Sequence, residues 1–354
     1  ESGIKLILIS GQPWPNEGLI DIASELPFSL KSYNQKIFKK LYWPKGAYQV
    51  TKKADLVISE QANSALLNYV LLLKRKFTGK PKIAFFGHGL DWQQSKKNRL
   101  KFKDGFKLFW TKQCDWFFAY TKRSADILHY YGFPKEKLTV VNNAIDTTAI
   151  CKRKQALNTE AINRLKRKLF RLVEENDVFG VFCGRFTQEK MVPFLLRSIA
   201  LIKQELPNFK MLIIGDGTER ESVESFCQKN SWCVCVGAKY GLDKVEYLAI
   251  GDIWLHPGMV GLAILDAFAL GIPLATTNNE IHSPEIAYLK PNINGLLTGF
   301  TEKEFAQEVV TVLKDKQKLK QMKQAALADC SLYTVERMAR HFLTGIKTCL
   351  NLKD

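Results

Sequence analysis

Short apolar runs recur along this chain, separated by longer stretches in which apolar residues return every three or four positions. Runs of roughly four to eight aliphatic and aromatic residues read as buried strands, and the longer stretches as helices packed on them. The pattern predicts strands over residues 5–10, 55–59, 82–86, 116–120 and 138–141, and a second series over 179–183, 210–214, 233–236, 253–255 and 274–277. Helices are expected over 62–76, 192–205, 219–229 and 261–270. Strands alternating with helices build βαβ units, so the expected fold class is α/β with parallel sheets. The rhythm breaks over 147–177, a polar helical stretch with Lys152, Arg153, Lys154 and the basic run from Arg164 to Arg171. That stretch suits a connector and places a domain boundary near residue 150. Solenoid repeats and low-complexity tracts are absent from the sequence.

A length of 354 residues allows two domains with separate cores. No apolar run reaches the roughly 18 residues that would span a bilayer, and the start, Glu1-Ser-Gly-Ile-Lys, lacks the apolar core of a signal peptide. The 8 cysteines are scattered without a Cys-x-x-Cys pair, which fits a reduced, cytoplasmic protein. Charge is uneven. Residues 1–150 carry 24 Lys and Arg against 12 Asp and Glu, whereas 151–354 carry 28 against 23, within a net charge of +17. A basic first half suits an anionic partner; a lysine-rich solvated surface is the plainer alternative.

Two segments carry the chemistry. In Gly184-Arg185-Phe-Thr-Gln-Glu-Lys190 two cations stand five positions apart just beyond a predicted strand, with Lys190 near the positive end of the following helix. An Arg fork and a Lys point charge suit adjacent phosphates. The second segment is His256-Pro-Gly-Met-Val-Gly-Leu-Ala-Ile-Leu-Asp266, running on to Gly271-Ile-Pro273. It reads as a strand end, a loop bracketed by Gly258 and Gly261, and a helix starting near Gly261. Such a turn offers backbone N–H groups to an anion.

Together these segments resemble glycosyltransferase family 4, retaining enzymes of the GT-B fold within the glycogen phosphorylase/glycosyltransferase superfamily. The resemblance covers nearly the whole chain and is more specific in the second half. It implies two Rossmann-like domains with parallel sheets facing an interdomain cleft. Residues 1–150 would bind the acceptor and 151–354 the nucleotide-sugar donor, the last helix (335–350) packing back on the first domain. Residues 5–10 and the loop from Gly11 to Gly18 resemble the family's second strand, so the first βα unit is expected to be missing, by truncation or by nature.

The resemblance also implies roles for residues. Arg185 and Lys190 would grip the donor diphosphate and stabilise charge on the leaving oxygens. Family members carry two glutamates eight positions apart in the second segment. Asp266 stands at the second place, where it would meet the ribose, and Gly258 at the first, where the sugar contact loses its side chain. The backbone from Gly258 through Met259, Val260, Gly261 and Leu262 is then the expected cradle, with Gly184 beside it. His88, between Gly87 and Gly89 at a strand end, would face the donor sugar, and His282 and Glu285 would lie on a loop touching the donor. His256 would anchor its loop, and the stretch from Asn142 to Asp146 would set hinge geometry.

Gly215-Asp-Gly-Thr-Glu-Arg220 is a partial GxGxxG with Arg220 at the third glycine and no later ribose-binding acid, so a dinucleotide site is not expected. The sequence has no Asp-x-Asp and no metal-ligand spacing of His, Cys and carboxylates; no metal and no cofactor are expected. Two basic-aromatic stretches remain. Residues 31–53 interleave lysines with Tyr33, Phe38, Tyr42, Trp43 and Tyr48, which suits an anionic membrane surface. Residues 96–112 do the same, but a helix burying Phe102, Phe106, Phe109 and Trp110 in the core is the favoured reading there.

The expected activity is transfer of a sugar from a nucleotide to a saccharide or lipid-linked acceptor, in bacterial polysaccharide or lipopolysaccharide synthesis. The enzyme would be cytoplasmic or peripheral on the inner face of the membrane, with no nucleic-acid partner. A sugar-nucleotide epimerase of similar fold, needing acid and base carboxylates near His88, is one alternative. A non-catalytic basic protein with a degenerate donor pocket, binding membrane or nucleic acid, is another.

Overall fold

The structure, a computed structural model, describes residues 3–11, 26–90 and 102–352, without the side chains of residues 102 and 103. The chain forms two compact units, one of residues 1–120, 124–140 and 341–354, the other of 121–123 and 141–340.

The first unit holds two sheets. β1 (Leu8–Gly11) pairs in parallel with β2 (Ser29–Phe38), which pairs antiparallel with β3 (Leu41–Lys45). The second sheet is parallel, in the order β4 (Leu56–Glu60), β5 (Lys82–Gly87), β6 (Trp116–Ala119), β7 (Leu138–Val140). Helices α2 (Leu66–Thr78), α3 (Phe102–Thr111) and α4 (Lys122–Tyr130) follow β4, β5 and β6. Leu71, Ile83, Phe85, Phe117, Leu128 and Phe133 fill the core. Most of the last helix, α13 (Val335–Leu350), belongs to this unit: the Phe342 ring lies tilted against that of Phe118 with centroids 4.7 Å apart, and Gly345 lies against Phe118 and Thr139.

Residues 31–53 carry no predicted element, whereas the burial expected for the aromatics of 96–112 needs correction. Residues 31–53 form the β2–β3 hairpin, which turns at Lys39 (φ 50°), and then α1 (Ala47–Thr51). The strands escaped notice because β2 is mostly exposed and lacks the alternation of a half-buried strand. Helix α3 buries Leu108 but leaves Phe106 45% and Phe109 59% exposed, so these aromatics do not enter the core. Phe102 lies outside the described side chains.

The second unit is built on a six-stranded parallel sheet. Its strands are β8 (Val178–Cys183), β9 (Phe209–Ile214), β10 (Cys233–Cys235), β11 (Ile253–Leu255), β12 (Leu274–Thr277) and β13 (Gly295–Thr298). Their spatial order is β10-β9-β8-β11-β12-β13. Alternate strand residues point to opposite faces. Phe182, Met211, Ile213, Ile253 and Leu255 pack with α7 (Val192–Glu205) and α11 (Glu302–Lys314). Val181, Leu212, Trp254 and Leu274, of the other parity, are also fully buried. A sheet covered on both faces explains strands that read as continuous apolar runs. The short β13, Gly-Leu-Leu-Thr, has only two apolar residues and gives no strand signal in the apolar pattern. Five further helices complete the unit: α5 (Thr147–Gln155), α6 (Thr159–Leu169), α8 (Arg220–Lys229), α9 (Asp243–Leu248) and α12 (Lys316–Cys330). The helix expected from Gly261 is α10, Ala263–Ala269, so Gly258–Leu262 is loop. Among the described residues no helix is long and apolar enough to cross a membrane.

Candidate functional site

Strand order alone locates a crevice in the second unit. From β8 the chain steps outward through β9 and β10, then returns to lay β11, β12 and β13 on the other side of β8. The loops after β8 and β11 therefore diverge at a topological switch point, where open parallel sheets bind ligands at their carboxyl ends. The loop after β8 carries Gly184, Arg185 and Lys190; the loop after β11 carries Gly258, Met259, Val260, Gly261 and Leu262.

These loops are fastened to one another. The Met259 N–H donates to the Glu189 carbonyl at 2.7 Å, and Lys190 Nζ donates to the Met259 carbonyl at 2.6 Å. Gly258 is buried between them. A Cβ there would run into the Glu189 carbonyl and lie 2.6 Å from the carbonyl oxygen of Lys190, backbone atoms with no freedom to swing away. Glycine at this place is thus a packing requirement. Gly215 and Gly217 have the same cause: a Cβ on either would meet the backbone of the Gly184–Phe186 turn. The partial GxGxxG is a brace for the Arg185 loop, further tied by Phe186 N–H on the Asp216 carbonyl at 2.8 Å.

The electrostatics differ between the two cations. Arg185 is exposed at the mouth of the loop. Lys190 is half-buried, and loss of solvent lowers its ammonium from the ordinary 10.5 to about 8. His256, at the end of β11, is fully buried and stacks on Phe182 at 5.2 Å. Burial and the nearby Lys190 hold it neutral. Its Nε2 lies 3.0 Å from the Met259 carbonyl and 3.4 Å from Lys190 Nζ, while Nδ1 has no protein partner. A hydrogen on Nε2 satisfies the carbonyl, which makes His256 a prop for the Lys190–Met259 contact.

Asp266, on α10, is buried, and its Oδ2 accepts from Lys244 Nζ of α9 at 2.8 Å. Oδ1 is buried without a protein partner. Burial raises the carboxyl above its ordinary range, and Lys244 opposes that rise. The Cys183 thiol at the end of β8, pushed up to about 12 by burial, senses the charges of Lys244, Asp266 and Lys190. Asp266 stands in the first turn of α10, immediately after the 258–262 loop. Lys244 escaped the sequence reading: it sits between Asp243 and Val245 in a polar stretch, and nothing local links it to a carboxylate 22 positions on.

The remaining candidates fall into place differently. His282 is buried with both ring nitrogens engaged: Nδ1 accepts from the Val260 N–H at 3.1 Å and Nε2 donates to the Thr277 carbonyl at 2.8 Å. It holds the 256–262 loop and has no ring nitrogen to spare for a donor. Glu285 is buried and accepts from Asn143 Nδ2 at 2.7 Å; Tyr288 donates to the Asn143 carbonyl at 3.1 Å. The Asn142–Asp146 stretch is therefore tied to the Glu285 segment by named hydrogen bonds. His88, exposed at the end of β5 in the first unit, lies 4.5 Å from the Tyr120 ring. Among the described residues no three His, Cys, Asp or Glu side chains are grouped to hold a metal ion.

Comparison with known proteins agrees with this architecture. Residues 7–149 match the model of Glycosyltransferase Family 4, and residues 165–329 match that of Glycosyl transferases group 1. The chain is 25% identical over 327 residues to the uncharacterized glycosyltransferase MJ1059 of Methanocaldococcus jannaschii, covering 84% of this chain and 76% of that one. It is 23% identical over 286 residues to the capsular polysaccharide biosynthesis glycosyltransferase CapM of Staphylococcus aureus, covering 73% and 71%. In fold it is similar to HepE of Anabaena, crystallised with UDP, with a TM-score of 0.67 at 16% identity over 90% of this chain and 86% of that one. Two family models over most of the chain, on two Rossmann-like units, make this protein a glycosyltransferase of family 4 with the GT-B fold.

Proposed function

We propose that the protein transfers a sugar from a nucleoside diphosphate to a saccharide or lipid-linked acceptor with retention at the anomeric carbon, in synthesis of a cell-surface polysaccharide. The observation that carries this reading is the fastening of Lys190 and the 258–262 loop at the switch point. The relative of Staphylococcus aureus named for capsular polysaccharide biosynthesis supports the class of product. The diphosphate would lie on the backbone of Gly258–Leu262, between Arg185 and Lys190, with the ribose on Asp266. As the C1–O bond breaks, its electron pair passes to the leaving phosphate oxygen, where the two cations stabilise it. The acceptor oxygen bonds to C1 from the same face and gives its proton to that phosphate, so no separate base is required. Incubation with a panel of nucleotide sugars tests this: one donor should raise thermal stability by mass action and be consumed with EDTA present. Salt-dependent RNA or DNA binding without donor consumption would favour the non-catalytic alternative, and recovery of an isomerised nucleotide sugar the epimerase.

Diphosphate binding should also depend on pH in a definite direction. The free-enzyme Lys190 titrates at about 8, and a bound diphosphate stabilises its charged form. Above about pH 7, where the terminal phosphate is already ionised, affinity should fall as pH rises through 8, approaching tenfold per unit while one proton is taken up on binding. A flat profile from pH 7 to 9.5 would remove Lys190 from the diphosphate site.

The acceptor side is proposed to dock on an anionic membrane through the β2–β3 hairpin. Ile37 and Phe38 are exposed at its tip beside Lys36, Lys39 and Lys40. Each cation near such a surface contributes about 1 kcal/mol. Binding to phosphatidylglycerol vesicles should exceed binding to phosphatidylcholine vesicles, weaken with salt, and drop at least tenfold when Lys36, Lys39, Lys40 and Lys45 are neutralised. Unchanged vesicle binding by that variant would exclude the hairpin.

A further inference from the structure

We infer that Lys244 is a positioning residue of the donor site, holding one oxygen of Asp266 so that the other meets the nucleotide as a charged acceptor. This rests on the donor-pocket reading. Three observations carry it. The ammonium lies 2.8 Å from Oδ2, a charge-assisted contact nearly removed from solvent, with the carboxylate side chain only 10% exposed. Oδ1 is buried with no protein partner, an arrangement that costs stability unless a ligand completes it. Asp266 stands in the first turn of α10, the helix that the 258–262 loop runs into, so the pair lies on the element next to that loop.

The neighbours of Asp266 leave Lys244 as its one close counter-charge among the described residues. Cys183 on β8 stays a neutral thiol, with its titration pushed up to about 12. On the packed 3-10 helix (Pro284–Tyr288), Glu285 is turned to Asn143. On α5, Cys151 and Lys154 contact the carbonyls of Ala269 and Leu270 at the far end of α10. On α12, Lys323 pairs with Asp252. Removing Lys244 therefore leaves burial unopposed, and burial favours the protonated carboxyl.

The test is calorimetric titration with UDP and GDP between pH 5.5 and 7.5, a window below the titration of Lys190. Wild-type affinity should follow only the ionisation of the ligand's terminal phosphate, which titrates near about pH 6. Relative to wild type at each pH, Lys244→Gln should bind progressively more weakly toward the acid end, by at least fivefold across the window, and Lys244→Arg should restore the wild-type profile. A uniform loss at every pH, unrelieved by arginine, would mean a structural role only and overturn the inference. The double variant Lys244→Gln/Asp266→Asn carries no stranded charge, so it keeps the test alive if Lys244→Gln fails to fold. It should bind as Asp266→Asn does, and a further loss beyond twofold would also count against Lys244 acting through Asp266. If Asp266→Asn itself binds like wild type, the ribose assignment fails, which is a different result from a Lys244→Gln profile that follows wild type.

Discussion

Gly258→Ala is expected to be severely damaging, although it adds a single methyl group. The new Cβ would collide with the Glu189 carbonyl and crowd that of Lys190, and neither can yield without breaking the 2.7 Å bond from Met259 N–H to Glu189. Overpacking of this kind costs about 1–3 kcal/mol, or several degrees in Tm for a unit of this size. The functional cost is larger, because the segment that must move carries Lys190. A misplacement of about 1 Å at a reacting group lowers turnover on the order of 10²-fold. Gly258→Glu, which supplies the residue usual in the family, should be no better, since its Cβ meets the same backbone. Thermal unfolding and steady-state rates check both. A Gly258→Glu enzyme as stable and as fast as wild type would show that the two loops do not pack as described.

Truncating the cations should have the next largest effect. Arg185→Ala and Lys190→Ala are each expected to reduce kcat/KM by about 10²-fold or more, the scale of losing a charge partner present in the transition state. The two should differ in stability. Arg185 is exposed, so its loss should leave Tm within about a degree. Lys190 also holds the Met259 carbonyl, and its removal should cost about 1 kcal/mol from that hydrogen bond. Near-wild-type rates for both variants would remove them from the chemistry.

The turn over residues 184–190 and the strand, loop and helix of residues 256–273 were legible in the sequence because their signals are local. A strand, a glycine-bracketed turn and a helix follow within a few residues, and the parallel sheets follow from the alternation of strands and helices. What stayed hidden depends on contacts between distant positions. Gly258 read as a departure from the family pattern, whereas its cause is the backbone of residues 189 and 190 pressed against it. His282 read as a ligand contact, and only the fold shows it spent on Val260 and Thr277. The exposure of Phe106 and Phe109 could not be read from composition, because an aromatic stripe at helical spacing looks the same whether or not a neighbour covers it.

The central claim is that the loops after β8 and β11 grip a diphosphate, and calorimetric titration with UDP, UMP, GDP and GMP in the absence of divalent metal tests it most directly. For the base the enzyme uses, the diphosphate should bind at least tenfold more tightly than the monophosphate, and Lys190→Ala should erase most of that difference. Equal affinity for diphosphate and monophosphate, or a difference untouched by Lys190→Ala, would contradict the account.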